Sequence, residues 1–126
     1  MMIKLFRKVR NLMFAELEMA NKQNGHYFHS PHEGYGVIVE EENEAWDESI
    51  DTHAKLDELL TAIRKNDRKD MVVAAKEIER CASLAACEYI QVAAMARKLR
   101  ESVRREERVK SWMQKRLTTA EEHTRC

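Results

Sequence analysis

The chain has 126 residues, of which 35% are charged, and its 22 basic and 22 acidic side chains cancel at neutral pH. This balance excludes the strong overall charge that draws proteins to nucleic acid or to membrane surfaces, so only local asymmetry can favour such partners. The chain contains only three Gly and one Pro, and residues that favour helices are abundant. This composition indicates an all-α fold, and the length is typical of one domain with its own core.

Neither the cysteines nor the apolar segments suggest a secreted or membrane-spanning protein. Cys81, Cys87 and Cys126 are an odd number and lack paired metal-binding spacing, so a disulfide framework is not expected. No apolar run approaches the roughly 18 residues that a membrane span requires. We therefore expect a cytoplasmic protein that does not cross a membrane.

The first two helices have clear boundaries. Apolar residues recur at steps of three and four from Met2 to about Lys22, which predicts the first helix. The pair Asn24-Gly25 then favours a turn. Ser30-Pro31, followed by Glu33, is typical of a capped helix start, so the second helix is predicted to begin there.

The second helix has two faces of different character. At 100° per residue, one arc is apolar and is expected to face the core, whereas a second arc, roughly opposite, is acidic but includes Val37. The pair Asp51-Thr52 favours a break before a shorter helix at about 56–63, which brings the predicted number of helices to about four. The apolar arc comprises Tyr35, Val39, Trp46 and Ile50, and the acidic arc Glu41, Glu44 and Glu48.

A long helix is predicted from about Asp70, and its middle, Cys81 to Ala96, has only three clearly polar residues. Its many alanines allow close helix approach. We expect an antiparallel helical bundle in residues 1–104 that is completed by oligomerisation, as a homodimer or a homotetramer. Residues 105–126 are predicted to be a charged helical extension or a loose tail, and nucleic-acid binding by this basic segment is not expected because acidic residues interrupt it. The apolar stripe of the long helix comprises Met71, Ala75, Ile78, Ala82, Ala85, Ala86, Tyr89, Val92, Ala93 and Ala96.

Glu88 is the unusual residue of this helix, because a carboxylate in so apolar a segment needs a cation. Gln91 lies three residues later on the same face, and Glu41 and Glu44 have the same spacing on the second helix. Two such pairs can build an octahedral Mg²⁺ site. A salt bridge from Glu88 to Arg80, to Arg97 or to the basic residues at 4–10 is an equal alternative on spacing alone.

The chain contains the motif EExxE at 40–44 and the segments HEGYGVIVEE, EAWDE and IQVAAMARK. Together they resemble the MazG-like, all-α nucleoside triphosphate pyrophosphohydrolases, particularly small phage or prophage members. The resemblance covers about 30–99. It implies hydrolysis of the α–β phosphoanhydride of an NTP or dNTP to a monophosphate and pyrophosphate, with Mg²⁺ or alternatively Mn²⁺. The implied metal ligands are Glu41, Glu44 and Glu88, and the implied proton acceptor is Glu40 or Glu44.

Two positions depart from the family pattern. Gln91 stands where the family has Asp, and Glu42 stands where an apolar residue is expected. Gln91 offers a carbonyl oxygen to a metal but no negative charge, which favours an alternative function as a non-catalytic assembly or regulatory module. For an active enzyme, the predicted partners of the substrate phosphates are Lys76, Arg97 and Lys98, with Arg100 as a further candidate.

Overall fold

The computed structural model describes residues 1–125, which contain three α-helices and no strand. Helix α1 covers Met2–Asn24, α2 covers Pro31–Arg64 and α3 covers Arg68–Thr124. The all-α prediction is confirmed, but the prediction of about four helices is wrong. None of the three helices is both long and apolar enough to cross a membrane.

Helix α2 begins at the predicted residue. The Ser30 hydroxyl accepts a hydrogen bond from the backbone N–H of Glu33 at 3.1 Å. The Glu33 carboxylate accepts one from the backbone N–H of His29 at 2.7 Å. The first bond satisfies a donor left free at the helix start, and the second ties the residue before the cap to the first turn, which fixes this end of α2.

The predicted break in α2 does not occur, which accounts for the missing fourth helix. The Thr52 hydroxyl donates to the backbone carbonyl of Glu48 at 2.9 Å, so its bonding capacity is used inside the helix and not to cap a new one. The helix ends at Arg64. Asn66 then has a φ of 54°, and the Asp67 side chain caps α3 by accepting from the backbone N–H of Asp70 at 3.1 Å.

Helices α2 and α3 form an antiparallel hairpin, and α1 packs against α3. The start of α2 lies level with residues 99–102, where the backbone N–H of Phe28 donates to the Ser102 hydroxyl at 2.9 Å. The buried core joins all three helices there, around Met13, Phe28, Ala94 and Met95. Beyond Ser102, α3 continues for about 33 Å without a neighbouring helix. The charged end of the chain is therefore helical through Thr124.

The rotation of α2 differs from the prediction. The predicted core residues Tyr35, Trp46 and Ile50 are 67%, 56% and 49% exposed. The side of α2 that faces α3 carries small residues, with Gly34, Ala45 and Ala62 all buried. Small side chains let two helices approach closely, so α3 packs on this side and leaves the large apolar side chains uncovered.

The apolar stripe predicted for α3 is also largely uncovered. Of its members, Tyr89 and the alanines at 75, 82, 86, 93 and 96 are exposed. The buried residues of α3 instead include Ala74, Cys81, Ala94 and Met95. The predicted homodimer or homotetramer stays a prediction, but the single chain leaves two apolar stripes without a partner.

Candidate metal centre

Three glutamates from the two hairpin helices converge at one point. Glu41 and Glu44 of α2 and Glu88 of α3 each place a carboxylate oxygen within 4.8 Å of the other two. Residues three apart share one side of a helix, which brings Glu41 and Glu44 together. Because Ala45 is fully buried against α3, the helices lie close enough for Glu88 to join them.

This convergence perturbs two of the carboxyl groups. Burial raises the pKa of Glu41, and the negative charges of Glu44, Glu88 and Glu40 raise it further. The pKa of Glu88 is also raised, first by burial, then by a hydrogen bond with Glu44 and by the charges of Glu44 and Glu48. Both shifts have the same two causes, since burial and nearby negative charges each disfavour the ionised carboxylate.

The salt bridges that the sequence allowed for Glu88 are not formed. Arg80 pairs with Glu77 at 3.0 Å, and Arg97 pairs with Glu101 at 2.8 Å. Among residues 1–125, no basic side chain forms an ion pair with Glu41, Glu44 or Glu88. The packing of the two helices therefore holds three carboxylates together without an ion-pair partner among the described residues.

The spacing of the oxygens can be compared with that around an octahedral Mg²⁺. Each Mg–O distance is about 2.1 Å, which places neighbouring ligands about 3.0 Å apart and opposite ligands about 4.2 Å apart. The three oxygens lie within 4.8 Å of one another, so they would have to move inward to bind one ion. Comparisons of the chain with protein-family models, curated proteins and solved structures found no match. The MazG-like resemblance therefore stays a prediction.

Gln91 lies beside this cluster. It is half-buried and lines, together with Glu41, a groove of about 300 Å³ between α1 and the hairpin. Gln91 therefore borders the same groove as one of the three glutamates. The structure brings Glu41, Glu44 and Glu88 together and places Gln91 in the same groove as Glu41, while Glu40 is exposed.

The sequence pattern predicted α1 but did not indicate that this helix forms one wall of the groove. Glu16, Gln23 and Asn24 contribute polar groups to it. Glu16 and Gln23 are seven residues apart and thus share one side of the helix. This polar pair beside the apolar positions of α1 is the feature of the sequence that indicates a role for α1 in the groove wall.

The predicted phosphate-binding residues are not brought to the cluster. Lys76 precedes Glu88 by twelve residues, which places it about 18 Å away along the helix axis. Arg97 is paired with Glu101 and lies over the Phe14 ring at 5.4 Å. Lys98 is 4% exposed, with its ammonium 4.7 Å from the centre of the Phe28 ring. The side chains of Arg97 and Lys98 therefore take part in packing contacts at the end of the hairpin where α2 begins.

Proposed function

We propose that this protein is a Mg²⁺-dependent nucleotide pyrophosphohydrolase of the MazG-like type. The observation that carries the proposal is the convergence of Glu41, Glu44 and Glu88 from two helices at the edge of a polar groove. Carboxylate oxygens are the ligands that Mg²⁺ prefers, and a groove beside the ion gives space for the rest of a nucleotide.

The chain's own residues divide the work of the site. Glu41, Glu44 and Glu88 would hold the ion, with the Gln91 side-chain oxygen as a neutral fourth ligand. When bound, Mg²⁺ would neutralise phosphate charge and lower the pKa of the attacking water molecule. Glu40, which is exposed and next in sequence to Glu41, would accept the proton of that water, with exposed Glu44 as the alternative acceptor.

The groove supplies the features that a nucleobase requires. Gln23 and Asn24 each offer an amide with two donors and an acceptor, and Glu16 adds an acceptor. Apolar walls come from Met19, Ala20 and Val37. A flat base with polar edges, held between such walls, orients the phosphates toward the glutamates.

Among residues 1–125, no basic side chain forms an ion pair with the three glutamates. Arg97 and Lys98 pack over aromatic rings, and Arg80 pairs with Glu77. The bound ion must therefore balance most of the phosphate charge. We expect the activity to depend strictly on Mg²⁺ or Mn²⁺.

Gln91 favours one alternative function. With Gln at this position the ligand set carries three negative charges, whereas Asp would add a fourth, so the ion is held less tightly. A site weakened in this way suits a non-catalytic MazG-like protein that acts as an assembly or regulatory module.

The deciding experiment is incubation of the purified protein with a panel of NTPs and dNTPs and Mg²⁺ or Mn²⁺, with detection of monophosphate and pyrophosphate. A Glu41→Gln, Glu44→Gln double variant should abolish turnover. A matched Asp47→Asn, Glu58→Gln variant changes two exposed acidic residues of the same helix and should keep it. Absence of turnover in the wild-type chain contradicts the enzyme and favours the alternative.

A further inference from the structure

We propose that the protruding end of α3, with the part of α1 that packs beside it, binds single-stranded nucleic acid. The surface centres on four basic residues of α3, here called the basic stripe. It is separate from the candidate metal centre, because Glu88 precedes the first of them by twelve residues, or about 18 Å along the helix axis. The basic stripe comprises Arg100, Arg104, Arg108 and Lys115.

The basic stripe runs along one side of α3. At about 100° per residue, its four members fall within an arc of about 80° and extend over about 22 Å. All four side chains are exposed. Among residues 1–125, none of the four forms an ion pair. The stripe is therefore a line of positive charges without acidic partners in the described part of the chain.

The acidic residues that interrupt this segment in the sequence do not neutralise the stripe. Glu101 pairs with Arg97 at 2.8 Å. Glu107 pairs with Lys110 at 4.0 Å. Glu106 is turned about 160° from the middle of the stripe, toward the opposite side of the helix. The helix thus separates charges that are mixed in the sequence, and their mixing was the reason that nucleic acid was not expected.

Helix α1 adds positive charge at the start of the stripe. Arg10 of α1 lines a groove together with Arg97 and Arg100 of α3. Residues 1–15 contain no acidic residue, and three more exposed basic residues precede Arg10 within two turns of helix, namely Lys4, Arg7 and Lys8. The formal net charge of zero therefore conceals a strongly positive end of the molecule. Such an end attracts polyanions.

The groove between α1 and α3 has space for a base beside these charges. Its volume is about 450 Å³, which is within the range of sites that bind small ligands. Apart from the arginines, its lining is apolar and consists of Phe6, Val9, Met13, Ala93 and Ala96. A flat base can enter such a groove while its phosphates stay next to the guanidinium groups.

Exposed aromatic rings accompany the arginines. The Arg116 guanidinium lies 4.8 Å from the centre of the Trp112 ring, which is 56% exposed. Around the helix, Trp112 is only about 40° from Arg108. Arg105 lies 4.6 Å from the centre of the Tyr27 ring, which is 40% exposed. Proteins that bind single strands combine a basic path for the backbone with aromatic rings on which bases stack.

These rings favour a single strand over a duplex, because the bases of a duplex are already stacked on one another. At about 3.4 Å per nucleotide, the basic stripe is as long as about six stacked nucleotides. Phosphate contacts and stacking do not depend on the sugar. Single-stranded DNA and single-stranded RNA therefore share the chemistry that this surface recognises.

A lipid surface fits the protruding helix less well. Helices that bind at membrane surfaces insert a continuous apolar side into the lipid. Here, Glu106 falls between Met113 and Leu117 around the helix, and Lys110 is about 20° from Leu117. These charges divide the apolar side, which makes a polyanion in solution the better partner.

Fluorescence anisotropy of labelled oligothymidine and oligouridine, each about 12 nucleotides long, tests the proposal on the full chain. EDTA in the buffer prevents binding to the glutamates through a metal. We expect the logarithm of the binding constant to fall with the logarithm of salt concentration with a slope of about −3, because the stripe offers four phosphate contacts. Comparison of the two oligonucleotides separates DNA from RNA.

The double variant Arg104→Gln, Arg108→Gln should lower the affinity about tenfold or more and make the slope shallower by about 1.4. Its matched control is Arg64→Gln, Arg68→Gln, which removes the same charge at two exposed positions at the far end of the hairpin. This control should bind like the wild type. Circular dichroism checks that each variant keeps its helices.

Trp112→Ala tests stacking separately from charge. We expect it to lower the affinity about fivefold or more without changing the salt slope. Binding of a duplex as tightly as a single strand, with Trp112→Ala unchanged, overturns the proposal. Absence of salt-dependent binding to both oligonucleotides also overturns it, as does an equal loss of affinity in the two arginine double variants. Binding to vesicles of phosphatidylcholine and phosphatidylglycerol, but to neither oligonucleotide, would identify lipid as the partner instead.

Discussion

A carboxylate oxygen of Glu41 on α2 lies within 4.8 Å of one from Glu88 on α3, although the two residues belong to different helices. The contact exists because the helices pack through small residues, with Ala45 and Cys81 almost completely buried between them. Two carboxylates held this close by the fold repel each other when both are ionised. The stability of the hairpin is therefore expected to depend on the protonation of these carboxylates.

The first prediction concerns pH. Because the pKa values of Glu41 and Glu88 are raised above the ordinary 4.5, the folded chain binds more protons than the unfolded chain. The contribution of the cluster to the free energy of unfolding therefore decreases as pH rises from about 4.5 through the folded pKa values. We expect Glu88→Gln to make this decrease smaller without metal, measured by urea unfolding across that range.

Glu122→Gln is the control for this measurement, since Glu122 is exposed near the end of α3 and should keep the wild-type profile. Adding Mg²⁺ near neutral pH should stabilise the wild type more than Glu88→Gln. Equal pH profiles for the wild type and Glu88→Gln would contradict the prediction.

The second prediction concerns Gln91. Replacing it with Asp adds a negative charge next to the ion and should tighten Mg²⁺ binding roughly tenfold or more. Without metal, the same substitution should lower stability, because it adds repulsion to the cluster. Isothermal titration calorimetry measures the affinity, and Gln114→Asp, at an exposed position of α3, is the control. An unchanged affinity in Gln91→Asp would place Gln91 outside the ligand set.

The third prediction tests the close contact at the start of the hairpin. A Cβ at Gly34 would lie 2.8 Å from Leu99 Cδ1 and 2.9 Å from Phe28 Cδ2. We expect Gly34→Ala to lower the free energy of unfolding by about 1–3 kcal/mol through overpacking. Gly36, one half-turn later, has no atom within 4 Å of such a Cβ. Gly36→Ala should raise the free energy of unfolding by about 0.5–1 kcal/mol, and urea unfolding distinguishes the two outcomes.

The fourth prediction concerns the groove and assumes that turnover is found. Gln23→Ala removes an amide from the groove wall without touching the glutamates, so it should raise KM severalfold and leave kcat nearly unchanged. Asn11→Ala, at an exposed position on the same helix, is the matched control. If Gln23→Ala instead lowered kcat and left KM unchanged, the groove would not be the base-binding site.

Local signals in the sequence determined a large part of the fold. Few Gly and Pro residues predicted the helices, and Ser30, Pro31 and Glu33 located the start of α2, because a cap depends only on neighbouring residues. The three-residue spacing placed Glu41 and Glu44 on one side of a helix for the same reason. The predicted break at Asp51-Thr52 was wrong because Thr52 can equally bond within the helix, to the carbonyl of Glu48.

Only the tertiary structure decided how the helices face one another. An apolar stripe such as Tyr35 to Ile50 has the same sequence pattern whether it meets its own chain or a partner, so the pattern did not reveal that α3 packs on Gly34, Ala45 and Ala62. Which side of α2 packs on α3 depends on how closely the two helix backbones can approach. Small residues on both helices together determine that distance. It also fixes the register that brings Glu88 to Glu41, a contact that no local signal in the sequence specifies.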